Sequence, residues 1–481
     1  MHNFYGIVND FFKKILVGGY LLNKDKWSQF EAIINDMTWP SGTSRLPTNL
    51  GQNHSLNKAD QLRQWVRIQP MVLWLCWRNE TGRIPHVEPP IPANGHMPNF
   101  RRHLDDVYKQ ALYLSISDHI LAAWSITQEE VAEGMKYLTL YNRGALAMRW
   151  PMVINNHLSM HYPDSFLRGP TNSWWLMGFE RCNGDQKKVN LNGHAEGAKM
   201  ELTLARSWVQ KHRLYELVTS LPPNASRKER DLVHRLSREK GPSRGTLRTQ
   251  IEGFGARAYC FVFNSDYSLT THPNISAALG GQITKSKGWK KATDLRALPH
   301  PQIYSLLLKF SQDYWTALRI VDDFTIEPRA TLFIGTQSAK SHAFVFKDGI
   351  RYGCATAART DADQYAFVEI EGTRSPCLIQ YHFNISVGDE SPVTCSIVQR
   401  MNMDEDFPRL GWDLYATELG IYGTYAHDLG ELEVVLTTSL ACAAHVIFTT
   451  AGGKDICIVH ASDSTGLEVP EAWVDKVEEG S

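Results

Sequence analysis

The apolar residues of this chain change their spacing near residue 320, and that change restricts its fold more than any other feature. Upstream they recur every three or four residues, as on helices that bury one face; downstream they alternate, as on strands. Residues 3–22 carry Phe4, Ile7, Val8, Phe11, Phe12, Ile15 and Leu16 at helical spacing, and Lys24 to Met37 repeats it with Trp27, Phe30, Ile33 and Ile34. A turn-rich segment follows, and Lys58 to Arg78 predicts a further helix broken near Pro70. The five prolines between residues 81 and 100 predict an extended, poorly ordered loop. Leu104 to Trp124 and Gln128 to Trp150 return to helical periodicity, the second opening with Thr127 and Glu130 as a capping box. Glu196 to Val218 and Pro301 to Ile320 add two more helices. Thereafter Ala343 to Phe346, an Asp348-Gly349 turn and Ile350 to Cys354 predict a hairpin. Short strands are expected at 365–370, 377–387, 393–401, 431–436, 444–449 and 456–460.

The expected class is therefore α+β: a mostly helical first half followed by a small all-β barrel of the SH3 or BAH-like kind over residues 325–462. The boundaries expected are a helical domain at 1–220, a basic linker region at 221–300, a helix plus barrel at 301–462 and an acidic, frayed tail at 463–481. A length of 481 residues exceeds one typical core and fits two or three domains.

Hydrophobic residues at 43% and charged ones at 21% belong to an ordinary globular protein. The net charge of −1 conceals a basic stretch between Lys187 and Arg257 and an acidic one from Asp404 to Glu479, so attraction for nucleic acid would be regional. The eight cysteines are scattered singly and form no C-x-x-C pair, which fits free thiols in a reducing compartment. The opening residues lack a basic n-region and a cleavage pattern, and no apolar run is long enough to span a bilayer, so no membrane partner is expected. There is no G-x-S-x-G elbow and no G-x-x-x-x-G-K-[ST] loop, which removes the basis for hydrolase and nucleotide-binding readings. His157 and His161, at i and i+4, have a zinc-compatible spacing but no third ligand, which favours a structural pair. Asp118-His119, His427-Asp428 and His460 with Asp463 are equally bland.

The stretch from Asn156 to Lys188 is the most informative for function. Gly169 to Ser173 supplies a turn and candidate N-caps, and Trp174 to Asn183 predicts a helix with Trp175, Phe179 and Cys182 on one face. Glu180 and Arg181 close this apolar run. A carboxylate at the end of a buried helix is a candidate metal ligand; alternatively, Glu180 pairs with Arg181 or Lys187 at the surface. The basic run Ser226 to Lys240 is either a solvated helix face or a phosphate-contacting segment, and Lys285, Lys287, Lys290 and Lys291 form a second basic patch.

His157-x-x-x-His161, Arg168-Gly169-Pro170 and Phe179-Glu180-Arg181-x-Asn183, with Lys187 beyond, resemble the region of fungal CACTA-type (En/Spm, Plavaka-like) transposases that carries the last acid of their DDE triad. Met1-His2-Asn3 resembles their Asp-x-Met-His-Asn segment, with the chain starting just inside it, after the second catalytic Asp. Trp39-Pro40-Ser41 and Ser44 to Pro47 are similar as well, and Asp348 to Gly353 and Leu419 to Glu433 match less specifically. The resemblance implies that residues 3–150 are the helical insertion of an RNase H-like core whose sheet is missing, that Glu180 is a vestigial third acid and metal ligand, and that His2 belongs to the catalytic segment. It implies Mg2+ or Mn2+ for the intact family and none bound here, since one Glu cannot hold two ions. The expectation is a truncated, nuclear, transposase-derived protein that retains double-stranded DNA binding through Arg181, Lys187, Lys188, Arg227, Lys228, Arg230, Arg235 and Arg238 and is without strand-transfer activity on its own. The alternative is a host-recruited nuclear interaction module whose barrel binds chromatin or a protein partner.

Overall fold

The computed structural model describes residues 2–166 apart from 42, 44, 57, 124 and 125, and residues 293–462 apart from 348–349, 358–360 and 403–406. Between these stretches it describes only 201–206, 209, 226, 228–229 and 284–285. Contacts divide the chain into two units, one built mainly from Thr171–His272 and the other from His2–Pro170 with Pro273–Ser481. In the second unit the helical half and the β half pack together, a division that runs differently from the boundaries drawn on sequence.

The helical half follows the apolar spacing. Helix α1 (His2–Asp10) passes into a π-helical turn, Phe11–Val17, which buries Phe11, Phe12, Ile15 and Leu16. That turn stops at Gly18-Gly19, and a side chain on Gly19 would lie 2.2 Å from the Ile15 carbonyl. Helix α2 (Lys24–Asp36) is capped by Asn23, whose side chain accepts from the Lys26 amide at 2.8 Å. After the short α3 (Leu50–Asn53), helix α4 (Ala59–Trp77) carries Trp65 and Trp74 fully into the core. Phe12, Trp27, Phe30 and Trp65 meet edge-on or tilted at 5.1–6.2 Å.

Helix α4 is not broken at Pro70, contrary to expectation. Proline cannot donate to the Val66 carbonyl four residues earlier. Helix α5 (Leu104–Leu121) supplies the missing donor: the Ser115 hydroxyl reaches Val66 O at 2.6 Å, and Gln69 bonds Ser115 Oγ at 2.9 Å. Helix α6 (Gln128–Ala147) opens with the expected capping box, Thr127 N to Glu130 at 2.7 Å and Glu130 N to Thr127 at 3.2 Å. Two short helices follow, α7 (Ile154–Ser159) and α8 (Tyr162–Phe166). The proline-rich segment, expected to be poorly ordered, is pinned by the buried Arg102, which donates to Gly19 O at 3.0 Å and Pro89 O at 3.1 Å.

Where a small all-β barrel was expected, over residues 325–462, the chain forms a curled antiparallel sheet of eight strands, a half-barrel. Helix α9 (Ile303–Tyr314) precedes it. Its strands are β4 (Ala339–His342), β7 (Tyr365–Ile370), β8 (Thr373–Ile385), β9 (Val393–Met401), β10 (Ile421–Tyr425), β11 (Leu429–Leu436), β12 (Leu440–Ala451) and β13 (Lys454–Ala461). Their order is β10-β13-β12-β7-β8-β9-β11, with β4 paired to β8, so among the described residues β10 and β11 end the sheet. A second sheet joins β1 (Thr284–Lys285) to the hairpin β5 (Phe344–Lys347) and β6 (Ile350–Gly353), and β2 (Ile320–Asp322) pairs in parallel with β3 (Thr331–Phe333). A four-residue helix, α10 (Ala416–Leu419), leads into β10.

Long strands change partners along their length, and this curls the sheet. Strand β12 pairs β7 up to Ala443 and β13 from Ala444; β8 pairs β7 up to Leu378 and β4 from His382. A bulge at Gln380 falls between the Ile379–Val398 and Tyr381–Ile397 pairs, so the odd-numbered residues of β8 switch faces there. Cys377 and Ile379 pack with Val345 and Tyr352 of the small hairpin, whereas Tyr381, Phe383 and Ile385 pack with Ile303, Leu307 and Trp315. Gly452-Gly453, both at positive φ, close the β12–β13 hairpin.

Candidate functional site

Two segments singled out in the sequence meet in the structure. Helix α1, which begins at His2, packs against α7, the helix containing His157, almost 150 residues later. Gly6 permits the approach, because a β-carbon there would lie 2.0 Å from the Asn155 side-chain amide. Tyr141, Trp150 and Asn156 close a hollow of about 10 Å³ beside α1, the room of a single water, whose one lining carboxylate is Asp10. Asp10 is paired with Lys14 at 3.0 Å. A two-ion centre needs several carboxylates around ions about 4 Å apart, and this hollow does not fit one.

The opposite side of α1 reaches a buried polar joint between the helices and the sheet. Arg67 of α4 lies 3.3 Å from Asp118 of α5, and both are nearly inaccessible. Asp118 also bonds the Tyr5 hydroxyl, and burial, aided by Asp118, pushes that phenol far above its ordinary range. Against this group stand His445 of β12 and His460 of β13, with facing Nδ1 atoms 3.2 Å apart. Burial and then the Arg67 charge hold His445 down at about 3; burial, His445, His119 and Arg67 hold His460 well below its usual value. Both rings are neutral at physiological pH, so one Nδ1–H donates to the other ring, and among the described residues both buried Nε2 atoms have no hydrogen-bond partner. Trp39 packs edge-on to His445 at 5.0 Å, and Thr38 forms a bridge with Val446. Tyr5, Arg67, Asp118, His445 and His460 are too deeply buried to meet a substrate, so the arrangement locks the two halves together.

Sequence reading treated Asp118-His119 and His460 as unremarkable. The signal that would have found the joint is Arg67, set among Trp65, Val66 and Ile68 in a helix whose last two turns are apolar, since a charge in such a place demands a partner.

The remaining candidates divide sharply. Glu180, Arg181, Lys187, Lys188, Arg227, Arg230, Arg235 and Arg238 lie outside the described residues, as do Asp463, the acidic tail and three of the four lysines of the second basic patch. His2 begins α1. Lys228 is helical and exposed, and the start of its basic run is capped reciprocally, Ser226 N to Glu229 at 2.7 Å and Glu229 N to Ser226 at 3.3 Å. His157 and His161 are exposed, with Nε2 atoms 3.5 Å apart. Among the described residues one group has ligand atoms close enough for a metal, His86 with Asp105 and Asp106. His86 is bonded to Asp105 at 2.7 Å and stacked on His103, and the two aspartates occupy the first turn of α5, where acids suit the helix dipole.

No protein-family model matches the chain, and no curated protein or solved structure does.

Proposed function

We propose that this chain is a transposase-derived protein of the CACTA class that retains duplex-DNA binding and lacks strand-transfer activity on its own. The observation that carries this reading is the packing of α1 on α7. In a DDE enzyme the segment after the second acid and the segment leading to the third must converge on shared metal ions, and these are the two segments that resemble the family. The reading assigns Glu180 as a leftover third acid and residues 3–150 as the helical insertion of an RNase H-like core. Binding falls to Arg181, Lys187, Lys188 and the basic run around Arg227, Lys228, Arg230, Arg235 and Arg238, which would contact phosphates without reading sequence. Such a protein acts in the nucleus. Incubation of the full chain with supercoiled plasmid and Mn2+ or Mg2+ should yield no nicking; divalent-dependent nicking lost in Glu180→Gln would replace the inactive version with an enzymatic one.

A second reading, a recruited module that binds chromatin or a protein partner through its β half, is favoured by exposed apolar side chains there. Ile326 is fully exposed and Phe324 and Leu414 nearly so. Under that reading Phe324→Asp with Ile326→Asp abolishes capture of a partner and leaves DNA retention unchanged.

A further inference from the structure

We propose that the hollow between α2, α3 and the proline-rich segment binds a small organic cation with a hydrogen-bond-donating head and an apolar body. This inference is independent of the transposase reading. The hollow measures about 970 Å³, at the upper end of the range for small-molecule sites. Its lining is mainly apolar, with Tyr20, Leu22, Trp27, Pro90, Ile91 and Pro92, and a smaller polar share that includes Lys24, Glu31 and His54.

The walls are preformed. The buried Arg102 ties the proline segment to the turn after the π-helical residues through Gly19 O and Pro89 O, and Glu88 holds the same guanidinium at 3.5 Å. Gly51 lets α3 sit directly on α2, since a side chain there would lie 2.5 Å from the Trp27 carbonyl. His54 is thereby brought onto Trp27, with ring centroids 4.2 Å apart. A site of this kind needs little rearrangement before binding.

The floor of the hollow has an unmet polar demand. Glu31 accepts one hydrogen bond, from Gln52 Nε2 to Oε1 at 3.2 Å, while its Oε2 is out of water contact and has no hydrogen-bond partner among the described residues; His54 Nε2 is in the same condition. Buried acceptors are nearly always satisfied, so an orphaned carboxylate oxygen in the lining of a cavity points to a missing donor. Gln52 is exposed and holds Glu31 by a single 3.2 Å hydrogen bond, so a ligand head that replaces this bond reaches the carboxylate. Glu31 is the one carboxylate and Lys24 the one ammonium in the lining. They stand seven residues apart on α2, about 10 Å along the axis. A cationic head is drawn to the Glu31 end and repelled from the Lys24 end, and an apolar body lies along Trp27 and Ile91 between them. An amidinium suits the head better than a quaternary ammonium, because only the former donates hydrogen bonds to the carboxylate.

Saturation-transfer NMR and calorimetry on the full chain, with benzamidine, benzyltrimethylammonium and benzoate as probes, test this. Benzamidine should bind with a dissociation constant in the millimolar range or tighter, benzyltrimethylammonium more weakly, and benzoate not at all. Glu31→Gln, a near-isosteric change, should weaken benzamidine at least tenfold with an unchanged thermal midpoint, and Ala32→Trp should block the hollow. If Ala32→Trp fails to fold, the selectivity among the three probes and the Glu31→Gln variant still decide. Absence of benzamidine binding, equal binding of benzoate, or indifference to Glu31→Gln would overturn the proposal.

Discussion

Pro70 and Ser115 illustrate how a single residue's chemistry is answered by another element. Removing the Ser115 hydroxyl leaves the Val66 carbonyl without its donor and takes from Gln69 one of its two acceptors, the other being the Ala111 carbonyl at 3.1 Å, and should destabilise the fold by about 1–3 kcal/mol. Pro70→Ala restores an amide that serves Val66 itself, so Ser115→Ala should cost less in a Pro70→Ala background. A double-mutant cycle in denaturant reads that coupling, and strict additivity would reject it. The buried histidines carry a second prediction. His382 bonds Ser396 at 2.8 Å, and burial holds it down at about 4; His445 lies at about 3 and His460 lower than usual as well. Each has a folded pKa below the unfolded value of about 6.5, so below pH 6.5 the unfolded chain takes up protons that the folded chain refuses. The contribution of these histidines to stability is therefore flat above about pH 7 and falls as the medium is acidified. Between pH 6.5 and 5 His382 alone accounts for about 2 kcal/mol, measurable as a drop in the denaturant midpoint that His382→Gln reduces.

At the scale of elements, much of the chain was legible in its sequence. The capping box at Thr127 and Glu130, strands β7 and β9 to their end residues, and the β5–β6 hairpin all appear where local pattern places them. What the pattern concealed were features set by neighbours. The alternation through Cys377, Ile379, Tyr381, Phe383 and Ile385 looks like one apolar face, and only the bulge at Gln380 divides it between two cores. The partner changes of β8 and β12 likewise depend on strands far away in sequence, so an open curled sheet and a small barrel look alike residue by residue. Of the candidate site, neither the packing of α1 on α7 nor the Arg67–Asp118–His445–His460 joint could be read from local pattern, because both join residues far apart in sequence. Gly6→Leu should push α7 from α1 and destabilise the helical half by about 1–3 kcal/mol, with proteolytic cleavage appearing first near 150–160. Cleavage rates equal to the parent's would show that the contact is loose.

For the whole molecule, the helical half and the sheet are joined by more than the histidine pair. Asp363 accepts from the Ser41 amide at 2.7 Å and from its hydroxyl at 2.9 Å, and faces Arg351 at 3.1 Å. Trp74 meets Trp412 edge-on, and Tyr415 lies against Tyr113 and Tyr137. Asp363→Ala removes a buried charge from two partners and should cost about 3 kcal/mol, with both halves still melting in one transition; a separate early transition of either half would mean that they fold independently. The function we propose is tested most directly by fluorescence anisotropy of a random-sequence DNA duplex titrated with the full chain between 50 and 200 mM salt. If four phosphates are neutralised, affinity should fall roughly 100-fold over that range, and replacing Arg227, Lys228, Arg230, Arg235 and Arg238 with alanine should remove most of both the binding and its salt dependence. No binding at the lowest salt, binding that ignores salt, or an unchanged variant would contradict it.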